Sequence, residues 1–226
     1  MPHGPKRTIR LTALLAVLLM AGACDAAKPA PPVTPSTPGP TASASAPASA
    51  PSPDASPAVG PAPADLRDTD WDDVPVPGDF CGIPGLVPID RTGHATATSR
   101  TWGPVRVTRT ENIVYGDTDG DRRDEAVVFV GCDDNGATQN ADIAVAYAVY
   151  AGVGKDLVVL GSMTPRQKSA HSHTALARVE FAPGRIIVHE KWYRADDARC
   201  CPSGDATTVW TREGNRLKPG APRVTS

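Results

Sequence analysis

Asp117, Asp119, Asp121, Arg123 and Glu125 occupy alternating positions of the stretch YGDTDGDRRDEAVVFVGC, Tyr115 to Cys132. Counted from Asp117 they are positions one, three, five, seven and nine. A loop that turns around a cation presents alternate side chains inward, and position seven contributes its backbone carbonyl. Ca²⁺ takes roughly six to eight oxygens at about 2.3–2.6 Å, which several carboxylates plus backbone can supply. The predicted ligands are therefore Asp117, Asp119, Asp121, the carbonyl of Arg123, and Glu125, with Gly120 permitting the bend. Without a cation, carboxylates this close repel one another. The competing reading is a polar hairpin whose aspartates satisfy backbone amides as Asx-turns.

The elements that must position this loop read as β. Ala126 to Val130 is apolar throughout, which predicts a strand buried on both faces. Val, Ile, Tyr, Phe and Thr are concentrated in further candidate strands at 105–110, 112–115, 126–131, 143–150, 157–162, 175–181, 185–191 and 207–210. Gly152 to Asp156, Pro183-Gly184 and Glu213-Gly214-Asn215 separate consecutive strands, as glycine-containing turns of hairpins do. Asp65 to Asp73 has room for one or two helical turns ending near Trp71. Pro75 and Pro77 forbid a continuing helix, because proline lacks the amide donor. Pro165 to Thr174 reads as a loop or short helix. The expected fold is mainly β, a single antiparallel domain, with α+β as the nearest alternative.

The chain has five cysteines. With Cys24 set aside for the amino-terminal segment, Cys81, Cys132, Cys200 and Cys201 remain, an even number that outside the cytoplasm reads as two disulfides. The preferred scheme ties Cys81 to one member of the adjacent pair and Cys132 to the other, fastening the entry segment and the central strand to the C-terminal hairpin. A bridge between neighbours ranks last, because it closes a strained ring. Adjacent cysteines lack the Cys-x-x-Cys spacing of zinc or thioredoxin-like centres. His171-Ser172-His173 offers two further metal ligands, for which solvated histidines are the plainer reading.

Lys6, Arg7 and Arg10 precede an apolar run, Leu11 to Met20, too short to span a bilayer stably and followed by small residues, the pattern of a secretion signal over 1–23. Ala21-Gly22-Ala23-Cys24 resembles the lipobox of bacterial lipoproteins, departing from it at Ala21. The resemblance implies diacylglycerol on the Cys24 thiol and acylation of the new amino terminus; the alternative is secretion after Ala23 with a free thiol. More than one acyl chain anchors stably where one does not. Loss of residues 1–23 removes three basic residues and no acidic one, taking the formal charge from −2 to −5. An acidic surface argues against nucleic acid as partner. Residues 24–64 are almost entirely Pro, Ala, Ser and Thr and cannot bury enough apolar area to offset ordering entropy. This is a tether, or a glycosylated stalk, that spans on the order of 100 Å when extended. Residues 65–226 then form the folded domain.

The pattern Asp-x-Asp-Gly-Asp-x-x-Asp-Glu followed by Ala-Val-Val is similar to the calcium loops of FG-GAP repeats, with Arg122 where glycine usually sits and Glu125 for the commoner aspartate. Trp71 ahead of Cys81-Gly82, the loop and strand from Tyr115 to Val130, and Asp197 to Ser203 before Thr208-Val209-Trp210 resemble actinobacterial surface lipoproteins of the LppP/LprE type. That resemblance implies a disulfide-bonded domain anchored on the outer face of the cytoplasmic membrane, and it carries no catalytic residue. The chain has no Gly-x-Ser-x-Gly, His-Glu-x-x-His or phosphate-loop motif. The expectation is a non-catalytic binding or scaffolding domain with a protein or cell-wall partner. A lipoprotein that senses or delivers a small molecule or wall fragment is the alternative; it needs a concave aromatic pocket, which Trp102, Trp192, Tyr193 and Trp210 are too few to demonstrate.

Overall fold

The computed structural model describes residues 56–136 and 142–226. The expected secretion signal, the expected lipidation site Cys24 and the expected tether up to residue 55 lie outside the described residues. Strand β1 (Ala58–Pro61) comes first, followed by 3₁₀ turns at Leu66–Asp68 and Trp71–Asp73. Next are β2 (Val76–Pro77), a third 3₁₀ turn at Asp79–Cys81, β3 (Leu86–Val87), β4 (His94–Ser99), β5 (Gly103–Gly116) and β6 (Glu125–Asp133). The chain continues through β7 (Asp142–Val153), β8 (Asp156–Met163), β9 (Ala175–Ala182), β10 (Arg185–Trp192), β11 (Gly204–Glu213), β12 (Arg216–Pro219) and β13 (Arg223–Val224). The fold is mainly β and its sheets are antiparallel, as the turn-punctuated apolar runs predict.

Six strands form the larger sheet in the order β1-β8-β7-β6-β5-β4. A second sheet runs β12-β11-β10-β9, with β13 also paired to β11, and β2 and β3 make a small ladder of their own. The larger sheet is apolar on both faces. Ala126, Val128, Val130 and Cys132 of β6 face the entry segment, where Leu66, Val74, Val76, Cys81, Ile83, Val87 and Ile89 cover them. Val127 of β6, with Val145, Tyr147 and Val149 of β7, points the other way and meets Ile186, Val188 and Trp210 of the second sheet. Side chains alternate between faces along a strand, so an unbroken apolar run is what a sheet covered twice requires.

Specific contacts fasten the first cover. The Trp71 ring meets Tyr150 edge-on at 5.2 Å, and its Nε1–H donates to the Tyr115 hydroxyl at 3.1 Å. The Tyr150 hydroxyl donates to the Pro75 carbonyl at 3.0 Å. Arg109 is buried among these groups and meets Asp72 at 2.9 Å. Arg67 lies over the Tyr115 ring. The expected helical turns at 65–73 are thus 3₁₀ turns, each capped by an aspartate side chain, Asp65 and Asp70.

Two expectations are corrected. Ala58–Pro61 falls in the stretch whose composition reads as tether, yet it pairs with β8, and the Ala62 amide donates to the Lys155 carbonyl at 2.8 Å. An edge strand accepts proline because one of its sides needs no ladder donor, so composition places the boundary of the folded part several residues too late. The cysteine pairing also differs: the bridges are Cys81–Cys132 and Cys200–Cys201. Cys132 shares the face of Val128 and Val130, towards the entry segment, whereas the second sheet packs on the opposite face. A bond from Cys132 to Cys200 or Cys201 would have to cross the sheet. The entry segment is tied directly to the central strand instead.

Pro165 to Thr174 is a loop, and one buried carboxylate organises it. Glu190 of β10 is 1% exposed. It accepts from the Arg166 and Gln167 amides at 3.0 and 2.8 Å and from the Thr208 hydroxyl at 2.6 Å. Thr174 donates to the Gln167 carbonyl and closes the loop. Replacing Glu190 with alanine removes the acceptor of two part-buried amides and one buried hydroxyl, each at about 1–3 kcal/mol where no water takes its place. Glu190→Ala is therefore expected to lower the unfolding free energy by about 3 kcal/mol or more in urea titrations, and a loss within about 0.5 kcal/mol, the range of neutral surface changes, would contradict this account.

Candidate functional site

The acidic loop joins β5 to β6 and stands at the edge where the two sheets meet. The Asp117 carboxylate accepts from the Gly120 amide at 2.7 Å and the Arg122 amide at 3.0 Å. Asp119 accepts from the Asp121 amide at 3.1 Å, and Asp121 from the Arg123 amide at 2.7 Å. These Asx-type bonds fold the loop on itself. They bring one carboxylate oxygen each of Asp117, Asp119 and Asp121 within 4.8 Å of one another. Arg122, at the glycine position of similar loops, takes the left-handed conformation with φ 68°, which costs a non-glycine residue on the order of 1 kcal/mol.

Glu125 is not part of this triad. It is 2% exposed. One of its oxygens accepts from the Thr118 amide at 2.7 Å, and the other meets Arg212 Nη1 at 2.6 Å. The same nitrogen reaches Asp119 at 2.7 Å. Arg212 comes from β11, so a guanidinium from the second sheet supplies the positive charge that the loop sequence demands. The expected repulsion between carboxylates is relieved by a side chain of the protein itself. Arg123 turns away from the triad. Its guanidinium donates to the carbonyls of Gly152, Gly154 and Pro63 at 3.3–3.4 Å. A Cβ at Gly152 would collide with that guanidinium, so a larger residue there would displace the Arg123 head from these carbonyls. Asp124, between this loop and β6, meets Arg67 at 2.7 Å.

The loop therefore ties layers together. The Thr118 carbonyl accepts from the Gly184 amide, in the turn between β9 and β10, at 2.6 Å. Gly116 lies against the Phe181 ring so closely that any side chain there would overlap it. Nothing in the local sequence identifies Arg212 as the loop's partner. The two are 93 and 87 residues apart for the Asp119 and Glu125 contacts, and only the pairing of β11 within the second sheet brings them together.

Other candidate ligands are also engaged. His171 Nε2 lies 2.8 Å from the Ala195 carbonyl. Desolvation pushes the Asp142 carboxyl above its ordinary value and Asp133 adds to this, against the lowering pull of His173. Trp210 is a core residue, while Trp102 is exposed. Trp192 packs against Gly204, and Arg194 stacks over it at 5.7 Å. These aromatic residues do not share one pocket lining: a groove of about 480 Å³ is lined instead by Pro57, Pro77, Leu86, Val159, Leu160 and Leu217, with Asp79 and Arg216 among its polar residues.

The fold and this loop define a mainly β, antiparallel, disulfide-bonded protein with a charged clamp between its sheets. No protein-family model matches the chain, and no curated protein or solved structure matches it. No helix among the described residues is long and apolar enough to cross a membrane.

The clamp has a definite pH signature. Burial pushes the Glu125 carboxyl above its ordinary value, opposed by the Thr118 hydrogen bonds and Arg212. A folded pKa above the unfolded one means that folding favours the protonated form, so ionisation costs stability as pH rises through that window. Arg212 limits the cost. Arg212→Met is expected to lose about 3 kcal/mol at neutral pH, where Glu125 is left charged, buried and without its ion pair. The loss should shrink as pH falls through the carboxylate range and Glu125 takes up a proton. Urea unfolding of both proteins at pH 7 and pH 4.5 checks this, and an equal loss at both would contradict the role given to Arg212.

Proposed function

We propose that this chain is a lipid-anchored extracytoplasmic domain that binds or scaffolds a partner at the outer face of the cytoplasmic membrane and catalyses no reaction. The observation that carries this reading is the use made of the acidic loop, the densest candidate for chemistry. Its side chains are spent on holding the fold: backbone caps from Asp117, Asp119 and Asp121, and an ion pair and amide bond for Glu125. The buried Cys81–Cys132 bridge fits an oxidising compartment, and the lipobox-like end at Cys24 fits the anchor. Resemblance to LppP/LprE-type lipoproteins points the same way. A second reading, a lipoprotein that carries or senses a small molecule or wall fragment, is favoured by the groove of about 480 Å³, within the size range of small-molecule sites.

In this proposal Ca²⁺ is a structural ion of the acidic loop. Asp117, Asp119 and Asp121 hold it, with backbone and water completing the shell. Glu125 stays with Arg212, which makes the set one carboxylate poorer than the sequence pattern implies. The neighbouring guanidinium also opposes a second cation, so affinity falls at the weak end for extracellular modules, about 10⁻⁴–10⁻³ M. Calcium at 10 mM is expected to add on the order of 1–3 kcal/mol and raise the melting temperature by a few degrees. Asp121→Ala, which removes a ligand and leaves the Arg212 pair intact, should abolish the shift. The absence of any shift in the parent protein would remove the ion from this account.

The function itself is tested by chemical crosslinking on intact cells, with identification of the captured molecule. A reproducible protein partner supports scaffolding, and a wall glycan supports the groove reading. Cys24→Ser is expected to move the protein from the membrane fraction to the soluble one and to remove those crosslinks. Unchanged membrane fractionation of the variant would refute the lipid anchor.

A further inference from the structure

The two disulfides do different things. Cys81 and Cys132 are 1% and 0% exposed and join elements 51 residues apart in the chain. Cys200 and Cys201 are neighbours in the chain, and both are exposed. A crosslink stabilises mainly by removing loop-closure entropy from the unfolded chain, and the gain grows with the logarithm of the loop. A bridge between adjacent residues closes almost no loop, and this one fastens no two elements together. The loop it occupies is shaped by other bonds. Asp197 accepts from the Arg194 amide at 2.7 Å and the Ser203 amide at 2.9 Å, closing its neck. The Tyr193 hydroxyl donates to the Arg199 carbonyl at 2.8 Å, and the Cys201 amide to the Ala198 carbonyl at 3.0 Å.

We propose that Cys200–Cys201 is a thiol–disulfide exchange site, open to a dithiol donor of the kind an oxidoreductase carries, while Cys81–Cys132 is the structural staple. In the forward step one donor thiolate attacks a sulfur of the Cys200–Cys201 bond. That bond breaks, a mixed disulfide forms, and the other cysteine leaves as a thiolate. The donor's second thiolate then displaces the protein sulfur. The donor becomes a disulfide, and the pair, after taking up two protons, a dithiol: two electrons have passed to the protein. Exchange requires access for the attacking sulfur, and exposure supplies it here, whereas reaching Cys81 or Cys132 requires opening the core. The Asp197 neck keeps the loop in place in either state, so the exchange proceeds without unfolding.

The test uses the full chain carrying Cys24→Ser, equilibrated in buffers of graded reduced-to-oxidised dithiothreitol, alkylated, digested with trypsin and read by mass spectrometry. The peptide Cys200–Arg212 contains both cysteines of the pair. It is expected to be doubly alkylated at a donor ratio about tenfold or more below that needed for the Cys81 and Cys132 peptides, a separation of about 30 mV or more for a two-electron couple. The melting temperature should be unchanged across that first transition. The double variant C200S/C201S should melt with its parent and leave the labelling of Cys81 and Cys132 where it was. Simultaneous labelling of all four cysteines would overturn the proposal, as would a melting temperature that falls as the pair opens or a double variant that melts markedly lower.

Discussion

A β-sheet whose two faces are both apolar cannot leave either one in water, and this constraint organises the molecule. The larger sheet presents Val128, Val130, Ala146 and Tyr150 on one side and Val127, Val149 and Leu160 on the other. Burying a side chain of this size is worth about 1.5–3 kcal/mol, so each face must find a cover. The second sheet covers one. The other is covered by an entry segment with almost no regular structure, only 3₁₀ turns and a two-residue ladder. Its backbone bonds close turns within the segment itself and reach little of the sheet beneath. It is held by point fastenings: the Cys81–Cys132 bridge, the Arg109–Asp72 pair and the Tyr150 hydroxyl on the Pro75 carbonyl.

Charge at the boundaries of the layers follows from the same constraint. Where strands of a doubly covered sheet leave the core, polar groups are trapped beside apolar ones and must find partners. Glu125, at the start of β6, finds the Thr118 amide and Arg212. Glu190, near the end of β10, finds two loop amides and a threonine hydroxyl. In each case one carboxylate joins segments distant in the chain, so it specifies which segments meet as well as compensating its own burial. The acidic loop is thereby an architectural joint, whether or not a calcium ion also sits in it.

The contrast between the two disulfides has the same origin. Cys132 is fixed by strand parity to the face that the entry segment covers, and Cys81 is its available neighbour there. Cys200 and Cys201 hang on the connection between β10 and β11, away from either core, and among the described cysteines each is bonded to the other.

Much of the fold is legible in the sequence. The long apolar runs, the glycine turns between them and the continuous hydrophobic stretch after Glu125 mark seven strands, with 105–110 and 112–115 both falling in β5, and the burial of β6 on both faces, because strand periodicity and turn chemistry are local. Weakly apolar strands are not legible: His94 to Ser99 carries only two alanines and the buried Ser99 on its inner positions, and Ala58 to Pro61 reads as linker. The acidic loop is visible as a cluster of carboxylates, and its Asx bonds follow from residue type. The partner of that cluster is not visible, because Arg212 resembles any other arginine until β11 is paired in the second sheet. Nor is the cysteine pairing, which depends on which layer lies over which face of β6. By itself the sequence determined strand, turn and loop, since those depend on neighbours along the chain. Only the tertiary structure decided that Glu125 answers to Arg212 and Cys81 to Cys132, since a partner is chosen by proximity in space after two layers have closed over one sheet.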